Sequence, residues 1–243
     1  MKKKLFPIIG VFSIITSGSF HAQQYHVMTI QSGYNADVIA NGIGYPSETT
    51  THDIDGANYA FVSKDLQFTS SDAALTYGLP ASGYISSAVA STPGMGYQLG
   101  SYDGNNCLRL PNSNNSGTLV FSGSTSAHIL YMLATAGDGA ATVNVEVNFS
   151  DSTTQSFSGV AISDWYGGNN YAIQGVGRAN IDIDYLESGD GVNPRLYQIP
   201  LAINLASQSK TIQSVTVTKT ESDGVANVLL LQPLKMKSCL LMN

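Results

Sequence analysis

Apolar and polar residues alternate along short segments of this chain, and clusters of Gly, Ser, Asn and Asp separate the segments. Residues 142–149 show the alternation most clearly, with apolar side chains at Val143, Val145, Val147 and Phe149. A period of two places these side chains on one face of a β-strand and polar ones on the other. Strands with one polar face are typical of antiparallel sheets that pack on one side only.

Other segments rich in β-branched and aromatic residues are also predicted to be strands. They are residues 25–30, 59–62, 97–99, 108–110, 118–121, 128–134, 154–160, 195–203, 212–220 and 226–231. The sequence Asp151-Ser152-Thr153 predicts a hairpin turn after residues 142–149. Between residues 63 and 96 the pattern weakens, which indicates a long excursion or a sheet edge. We expect an all-β antiparallel β-sandwich in one domain over residues 23–234, with a short tail at 235–243.

The composition favours a folded domain and excludes several classes of protein. Of 243 residues, 43% are hydrophobic and 12% are charged, which is too apolar for a disordered chain. The formal net charge is −6, and removing the three lysines at positions 2–4 takes it to −9. A chain this acidic, without a Lys/Arg cluster, suits neither a nucleic-acid backbone nor an anionic membrane surface as a partner.

The first 22 residues have the three parts of a secretory signal peptide. Residues 2–4 form a basic start, residues 5–15 form an apolar segment, and small residues lead to Ala22, after which we expect cleavage. The protein is therefore expected to be exported to the periplasm, the cell surface or the medium. No membrane insertion is expected after the signal has been removed.

Cys107 and Cys239 are the two cysteines of the chain. Because an exported protein meets an oxidising environment, they are able to form a disulfide, which would stabilise the fold by about 2–4 kcal/mol. The alternative is one buried thiol and one thiol held loosely in the tail. Neither cysteine follows the signal segment directly, as the lipid anchor of a bacterial lipoprotein requires.

The densest group of potential ligand-binding residues follows the strand predicted at 154–160. It contains the one Trp of the chain, and its candidates are Asp164, Trp165, Tyr166, Asn169, Asn170, Tyr171 and Arg178. Aromatic rings stack on the C–H faces of sugars, while carboxylate, amide and guanidinium groups bind sugar hydroxyls. The combination predicts a carbohydrate-binding site. The alternative for Trp165 is a core position at one end of the sandwich, with Tyr166 and Tyr171 facing outward.

The oxygen-rich loop at residues 53–58 is a candidate metal site. Asp53, Asp55 and Asn58 offer the carboxylate and amide oxygens that Ca²⁺ prefers. The spacing does not match an EF-hand loop, so the prediction is a structural Ca²⁺ site in a sandwich loop. The alternative is a solvated turn whose Asp side chains accept hydrogen bonds from backbone N–H groups. A second acidic stretch is interpreted as a solvated face, and it contains Asp182, Asp184, Glu187 and Asp190.

The sequence contains no convincing catalytic motif. It lacks Gly-x-Ser-x-Gly, His-Glu-x-x-His and a Gly-rich phosphate-binding loop before a helix. The histidines that follow the signal segment, His26, His52 and His128, are far apart in sequence. Because a glycosidase needs only two carboxyl groups that face each other, a hydrolase or lyase using Asp or Glu stays an alternative.

Several short stretches resemble a known kind of module. They are residues 148–157, Ser163-Asp164-Trp165, Gly177-Arg178, Arg195-Leu196-Tyr197 and residues 210–215. Together they resemble the galactose-binding-like jelly-roll modules found in secreted bacterial carbohydrate-active enzymes and in bacterial surface proteins. The resemblance spans residues 119–231, about half of the chain. It implies a jelly-roll β-sandwich, often with a structural Ca²⁺, and sugar binding in some members.

These observations combine into one hypothesis about function. We expect an exported, non-catalytic β-sandwich that binds a glycan or another extracellular polymer. The first alternative is a structural or adhesive surface protein whose sandwich packs against a partner. The second is a polysaccharide-active hydrolase or lyase that uses Asp or Glu.

Overall fold

The computed structural model describes residues 22–25 and 28–237, and most of their regular structure is β-strand. The strands are β1 (Ala22–Tyr25), β2 (Thr29–Ser32), β3 (Ile39–Ala40), β4 (Tyr59–Val62), β5 (Tyr84–Ser86), β6 (Gly96–Gln98), β7 (Leu108–Leu110), β8 (Ser116–Thr125), β9 (Ile129–Gly137), β10 (Ala141–Phe149), β11 (Thr154–Ile162), β12 (Tyr171–Gln174), β13 (Arg178–Asn180), β14 (Tyr185–Glu187), β15 (Arg195–Ala202), β16 (Ile212–Lys219) and β17 (Val225–Lys237). The helical segments of this described part are α1 (Pro46–Thr49) and a 3₁₀ turn at Leu205–Ser207. The prediction of an all-β protein is confirmed.

Two antiparallel sheets form the body of a sandwich. We name the first the covered sheet; its strand order is β1–β17–β9–β15–β12, and β7 pairs with another part of β17. We name the second the open sheet; its order is β11–β10–β16–β8–β2. The orders β7–β17–β9–β15 and β8–β16–β10–β11 are those of a jelly roll, in which the chain passes repeatedly between the two sheets. The predicted antiparallel β-sandwich is therefore confirmed.

The main core lies between the covered sheet and the open sheet. In β10 of the open sheet, the apolar residues of the alternating pattern, from Val143 to Phe149, are all buried. They belong to one apolar cluster with Leu130 and Met132 of β9 and with Leu231 of β17. Burial of apolar surface, at about 25 cal/mol per Å², is the main force that holds two such sheets together.

A third layer packs on the other face of the covered sheet. This covering layer consists of residues 34–107 together with β13 and β14, and it contains a small sheet with the order β14–β13–β4–β3. Phe61 and Tyr97 of the covering layer are buried in a second apolar cluster with Leu133 and Leu230 of the covered sheet. The weakly patterned segment at 63–96 therefore forms part of a layer, within which β5 and β6 pair as a short hairpin.

Some strands begin or end at other residues than predicted, because the strands with which they pair are distant in sequence. The segment predicted at 25–30 forms parts of two strands, β1 and β2, which lie in different sheets. β17 continues to Lys237, three residues into the predicted tail, and Lys237 lies opposite Ala22.

Two further predictions concern the ends of the chain. Cys107 is buried, but its predicted partner Cys239 lies outside the described residues, as does the predicted signal segment up to residue 21. Within residues 22–25 and 28–237, none of the helical segments has the length and apolar character needed to cross a bilayer.

Candidate functional site

The loop after β11, residues 163–170, is fixed to the covered sheet by a network around Tyr197. The Tyr197 hydroxyl donates to the Asp164 carbonyl at 2.5 Å and accepts from the Gly168 N–H at 3.0 Å. Gly168 packs so closely that an added Cβ would lie 2.7 Å from the Tyr197 ring. The Asp164 carboxylate in turn accepts the N–H groups of Tyr166 and Gly139, both at 2.8 Å. The predicted site residue Asp164 therefore shapes the loop.

Trp165 belongs to this loop, and its side chain is buried in the second apolar cluster. Its exposed fraction is 3%, and its ring meets Phe61 edge to face with centroids 5.5 Å apart. The Trp165 backbone N–H donates to the Ala136 carbonyl at 2.7 Å, which ties the loop to the end of β9. The position agrees with the core interpretation of Trp165, in which the indole supports the site instead of facing solvent.

Arg178 reaches this loop from β13 and is surrounded by aromatic rings. Its guanidinium lies 3.8 Å above the ring centroid of Tyr59, 5.6 Å from that of Trp165 and 5.3 Å from that of Tyr166. Contacts of this kind are attractive because the face of an aromatic ring carries negative charge density. Three predicted site residues, Trp165, Tyr166 and Arg178, are thus brought together.

Glu187 of β14 completes the surroundings of Arg178. Its carboxylate accepts from the Arg178 Nε at 2.8 Å and from the Tyr59 hydroxyl at 3.1 Å. The sheet register produces this arrangement, since Arg178 lies opposite both Phe61 of β4 and Glu187 of β14. The ion pair and the ring below it hold the guanidinium in one orientation.

Two further tyrosines are exposed, one in the loop after β11 and one in β14. Tyr166 is 37% exposed and Tyr185 is 55% exposed. Tyr185 precedes Glu187 by two residues in β14, so both side chains belong to the same face of the small sheet. We name the group formed by the half-buried Tyr59, Arg178 and Glu187 and the exposed Tyr166 and Tyr185 the Arg178 surface.

Burial and the charges of four neighbouring side chains act on the Tyr166 hydroxyl. Burial raises the pKa of the Tyr166 hydroxyl, Arg178 lowers it, and Glu187, Asp190 and Asp164 raise it further. Three carboxylates therefore act on the same hydroxyl as the one guanidinium. The Arg178 surface combines aromatic faces with fixed acceptors and a local excess of negative charge.

The other predicted binding residues do not join the Arg178 surface. Asn169 and Asn170 are exposed, and the Asn170 carbonyl accepts from the Gln198 N–H of β15 at 2.9 Å. Tyr171 is half-buried in β12, where the Arg195 guanidinium lies 5.1 Å from its ring centroid. The prediction of a single site thus combined two neighbourhoods, one at Arg178 and one at Arg195.

The loop at residues 53–58 does not have the geometry of a Ca²⁺ site. Asp53 forms an ion pair with Arg109 and accepts the Asn58 N–H at 3.1 Å, while Asp55 accepts two backbone N–H groups at 2.8 and 3.1 Å. These residues do not fit Ca²⁺ well, because a guanidinium already neutralises Asp53, and both Asp53 oxygens and one Asp55 oxygen already accept hydrogen bonds. Among the described residues, no group of three or more His, Cys, Asp or Glu could hold a metal ion. The calcium site stays a prediction that this geometry does not support.

Sequence reasoning missed three members of the Arg178 surface. The sequence pattern predicts only a strand at Tyr59, does not single out Tyr185, and indicates a solvated acidic face at Glu187. Tyr59 joins the group only because β4 pairs with β13, more than 100 positions later in the chain, whereas Tyr185 and Glu187 lie across the β13–β14 hairpin from β13. Two other acids of that stretch also have partners, since Asp184 accepts from the Ser47 N–H at 2.9 Å and Asp190 from the Asn193 N–H at 2.7 Å.

A separate cleft of about 470 Å³ lies in the covering layer, and its walls include Asp37, Glu48 and Asp103. Asp37 is 7% exposed, and burial raises the pKa of its carboxyl to about 6. The Asn106 side-chain amide, which donates to Asp37 Oδ1 at 2.6 Å, opposes this shift. A buried carboxyl that titrates near neutral pH, on the wall of a cleft, has the property required of a general acid.

Comparison with known proteins identifies no relative from which a function is inferred. No protein-family model matches the chain, and no curated protein shows significant similarity to it.

Proposed function

We propose that this chain is an exported, non-catalytic carbohydrate-binding protein. The covering layer on its jelly roll, together with the loop after β11, presents the Arg178 surface to a glycan or another extracellular polymer. The observation that carries the proposal is the exposed Tyr166, whose ring centroid lies 5.3 Å from a guanidinium whose orientation is fixed by Tyr59 and Glu187. The resemblance to galactose-binding-like modules adds to it.

The chemistry of the Arg178 surface suits a sugar. The tyrosine rings offer flat apolar faces for pyranose C–H groups, and the Glu187 and Arg178 side chains offer an acceptor and a donor for hydroxyls. Because Arg178 is held by an ion pair and a ring, little side-chain entropy is lost when a ligand binds. The strands that carry these residues belong to a packed layer, which keeps their spacing constant.

Affinity electrophoresis in gels containing soluble polysaccharides tests the proposal with the chain from residue 23 onward. Tyr166→Ala is compared with Tyr84→Ala, a matched control, because Tyr84 is 48% exposed but lies on the β5–β6 hairpin. Stacking of one aromatic ring on a base is worth about 1–3 kcal/mol, and a similar contribution on a sugar weakens binding by about 5- to 150-fold.

The expected result is that one or more polysaccharides retard the wild-type protein and the Tyr84→Ala variant, but retard Tyr166→Ala less. If no polysaccharide retards the wild type, the carbohydrate-binding proposal is wrong, and the result favours the alternative of a structural or adhesive surface protein. Equal retardation of both variants would place any sugar site away from the Arg178 surface.

One observation favours a second candidate function, a polysaccharide-active hydrolase or lyase. The buried Asp37 and the nearby Asp103 lie on the wall of the same cleft, and a carboxyl pair is sufficient for glycosidase chemistry. Release of reducing or unsaturated ends from the polysaccharides that bind tests this candidate. The activity has to disappear in Asp37→Asn, because the amide cannot donate a proton to a leaving group.

A further inference from the structure

We infer that the Arg178 surface selects uncharged glycans and rejects uronate-containing ones, because its guanidinium is already neutralised within the protein. This inference rests on the proposed function and specifies the substrate class of the same site. It assigns Arg178 a role as a donor for hydroxyls, with Glu187 occupying the position that a ligand carboxylate would take.

The contacts of Arg178 leave little room for an anionic ligand. Its Nε donates to Glu187 at 2.8 Å, and its plane lies against the Tyr59 ring at 3.8 Å. Tyr59 also donates its hydroxyl to the other oxygen of Glu187 at 3.1 Å, so the three side chains form a closed group. A ligand carboxylate that displaced Glu187 would leave a partly buried carboxylate without its cation, which costs more than the new pair returns.

The neighbouring loops add negative charge. Asp190 accepts hydrogen bonds from the N–H groups of Asn193 and Val192, at 2.7 and 2.9 Å, which lowers its pKa and keeps it ionised. Asp164 lies on the other loop beside Tyr166. Both carboxylates act electrostatically on the Tyr166 hydroxyl, so a uronate bound at this ring would meet like-charge repulsion.

A neutral sugar meets none of these penalties. Its ring is able to lie on Tyr166 or Tyr185, while its hydroxyls donate to Glu187 and accept from the outer N–H groups of Arg178. The closed group stays intact during such binding. The structure therefore predicts that affinity depends on ring stacking and hydrogen bonding, and only weakly on salt concentration.

Matched polymers test the inference directly. Pectins that differ only in methyl esterification present the same backbone either as neutral esters or as galacturonates, and a neutral galactan and a glucan extend the comparison. The wild type is expected to bind at least ten times more tightly to neutral polymers than to the galacturonate form, at both about 0.05 M and about 0.5 M salt.

A gain-of-function variant sharpens the test. Glu187→Gln keeps an acceptor for the Tyr59 hydroxyl but removes the charge that neutralises Arg178, so it should bind galacturonate at least five times more tightly than the wild type at low salt. Asp182→Asn is the matched control, because Asp182 is an exposed acid of the same stretch that precedes β14. Melting curves establish that both variants are folded.

The outcomes separate the inference from the proposed function. If the wild type binds galacturonate as tightly as neutral polymers, the selectivity is wrong while carbohydrate binding stands. If the wild type binds no glycan, the proposed function fails. If Glu187→Gln folds but behaves like Asp182→Asn, neutralisation by Glu187 does not set the selectivity. Should Glu187→Gln not fold, the salt dependence of wild-type binding decides, since an anion anchor would weaken steeply with salt.

Discussion

Strands β9 and β10 follow each other in the chain and have nine residues each, yet they have different surroundings. From Leu130 to Gly137 every residue of β9 is buried, because one face meets the main core and the other meets the covering layer. In β10 only alternate residues are buried, and Asn144 and Glu146 are exposed on the outer face of the open sheet. A continuous apolar strand thus indicates a sheet covered on both faces, and an alternating strand indicates one covered face.

The outer face of the open sheet and the surface of the covering layer also differ in chemistry. On the open sheet, polar side chains of neighbouring strands bind each other, as Thr118 does with Thr216 at 2.9 Å and Ser116 with Thr218 at 2.8 Å. The covering layer instead leaves aromatic rings exposed beside an ion pair. The apolar far face of the covered sheet requires a third layer, and the candidate binding residues lie in that layer and in the loop beside it.

The largest expected effect comes from a charge placed under the covering layer. Leu133→Asp puts a carboxylate at a fully buried position of β9, where it has no cation, and this should cost several kcal/mol and abolish cooperative unfolding. Asn144→Asp introduces the same charge at an exposed position of β10 and should change stability by less than about 0.5 kcal/mol. Urea denaturation followed by circular dichroism measures both. If the Leu133→Asp protein were as stable as the wild type, Leu133 would not be buried in the second apolar cluster beneath the covering layer.

Next in size is the contrast between neighbouring aromatic residues of the loop after β11. Trp165→Ala should lower the free energy of unfolding by about 3–5 kcal/mol, because it removes a buried ring that contacts Phe61. Tyr166→Ala should lower it by less than about 1 kcal/mol, since its ring is 37% exposed. The same denaturation experiment compares them. Equal losses would mean that Tyr166 is a packing residue and not a binding one.

A smaller effect, dependent on pH, is expected at Asp37 in the covering layer. Its folded-state pKa is raised to about 6 by burial, so the wild type loses stability as the pH rises through that value and the carboxyl ionises. Asp37→Asn keeps an acceptor oxygen but cannot ionise. Its stability relative to the wild type should therefore grow between pH 4 and pH 7, by about 1–2 kcal/mol.

Thermal unfolding across this pH range, with Asp182→Asn as a control for the loss of one exposed charge, measures the effect at Asp37. A stability difference that does not change with pH would show that Asp37 is ionised at no cost in the folded protein, and it would remove the support for the enzyme candidate.

The smallest expected effect is that of a chelator. Because Arg109 already neutralises Asp53, EDTA should shift the melting temperature by less than about 1 °C, whereas Arg109→Ala should lower it both with and without EDTA. Differential scanning calorimetry detects shifts of this size. A clear fall in EDTA that Ca²⁺ restores would support the calcium site that the sequence predicts.

Local patterns in the sequence were sufficient for much of the sandwich and for little of the site. The alternation in residues 142–149 predicts β10 and its buried face, since both depend on nearest neighbours along the strand. Strands of three residues, such as β13 and β14, are too short to show an alternation of apolar and polar residues. Their formation depends on the strands with which they pair. Glu187 becomes a partner of Arg178 through the β13–β14 hairpin, whereas Tyr59 joins them only when β4, more than 100 positions earlier, pairs with β13.

The pairing of β1 with β17 has a consequence for engineering the protein. Ala22 lies directly opposite Lys237 in this antiparallel pair, so a two-residue turn such as Asn-Gly would connect them as an ordinary hairpin. The chain would then be opened at the 3₁₀ turn Leu205–Ser207, where Leu205 is 85% exposed and no sheet partner is lost. Such a circular permutant would keep all strand pairs and place its new termini between β15 and β16.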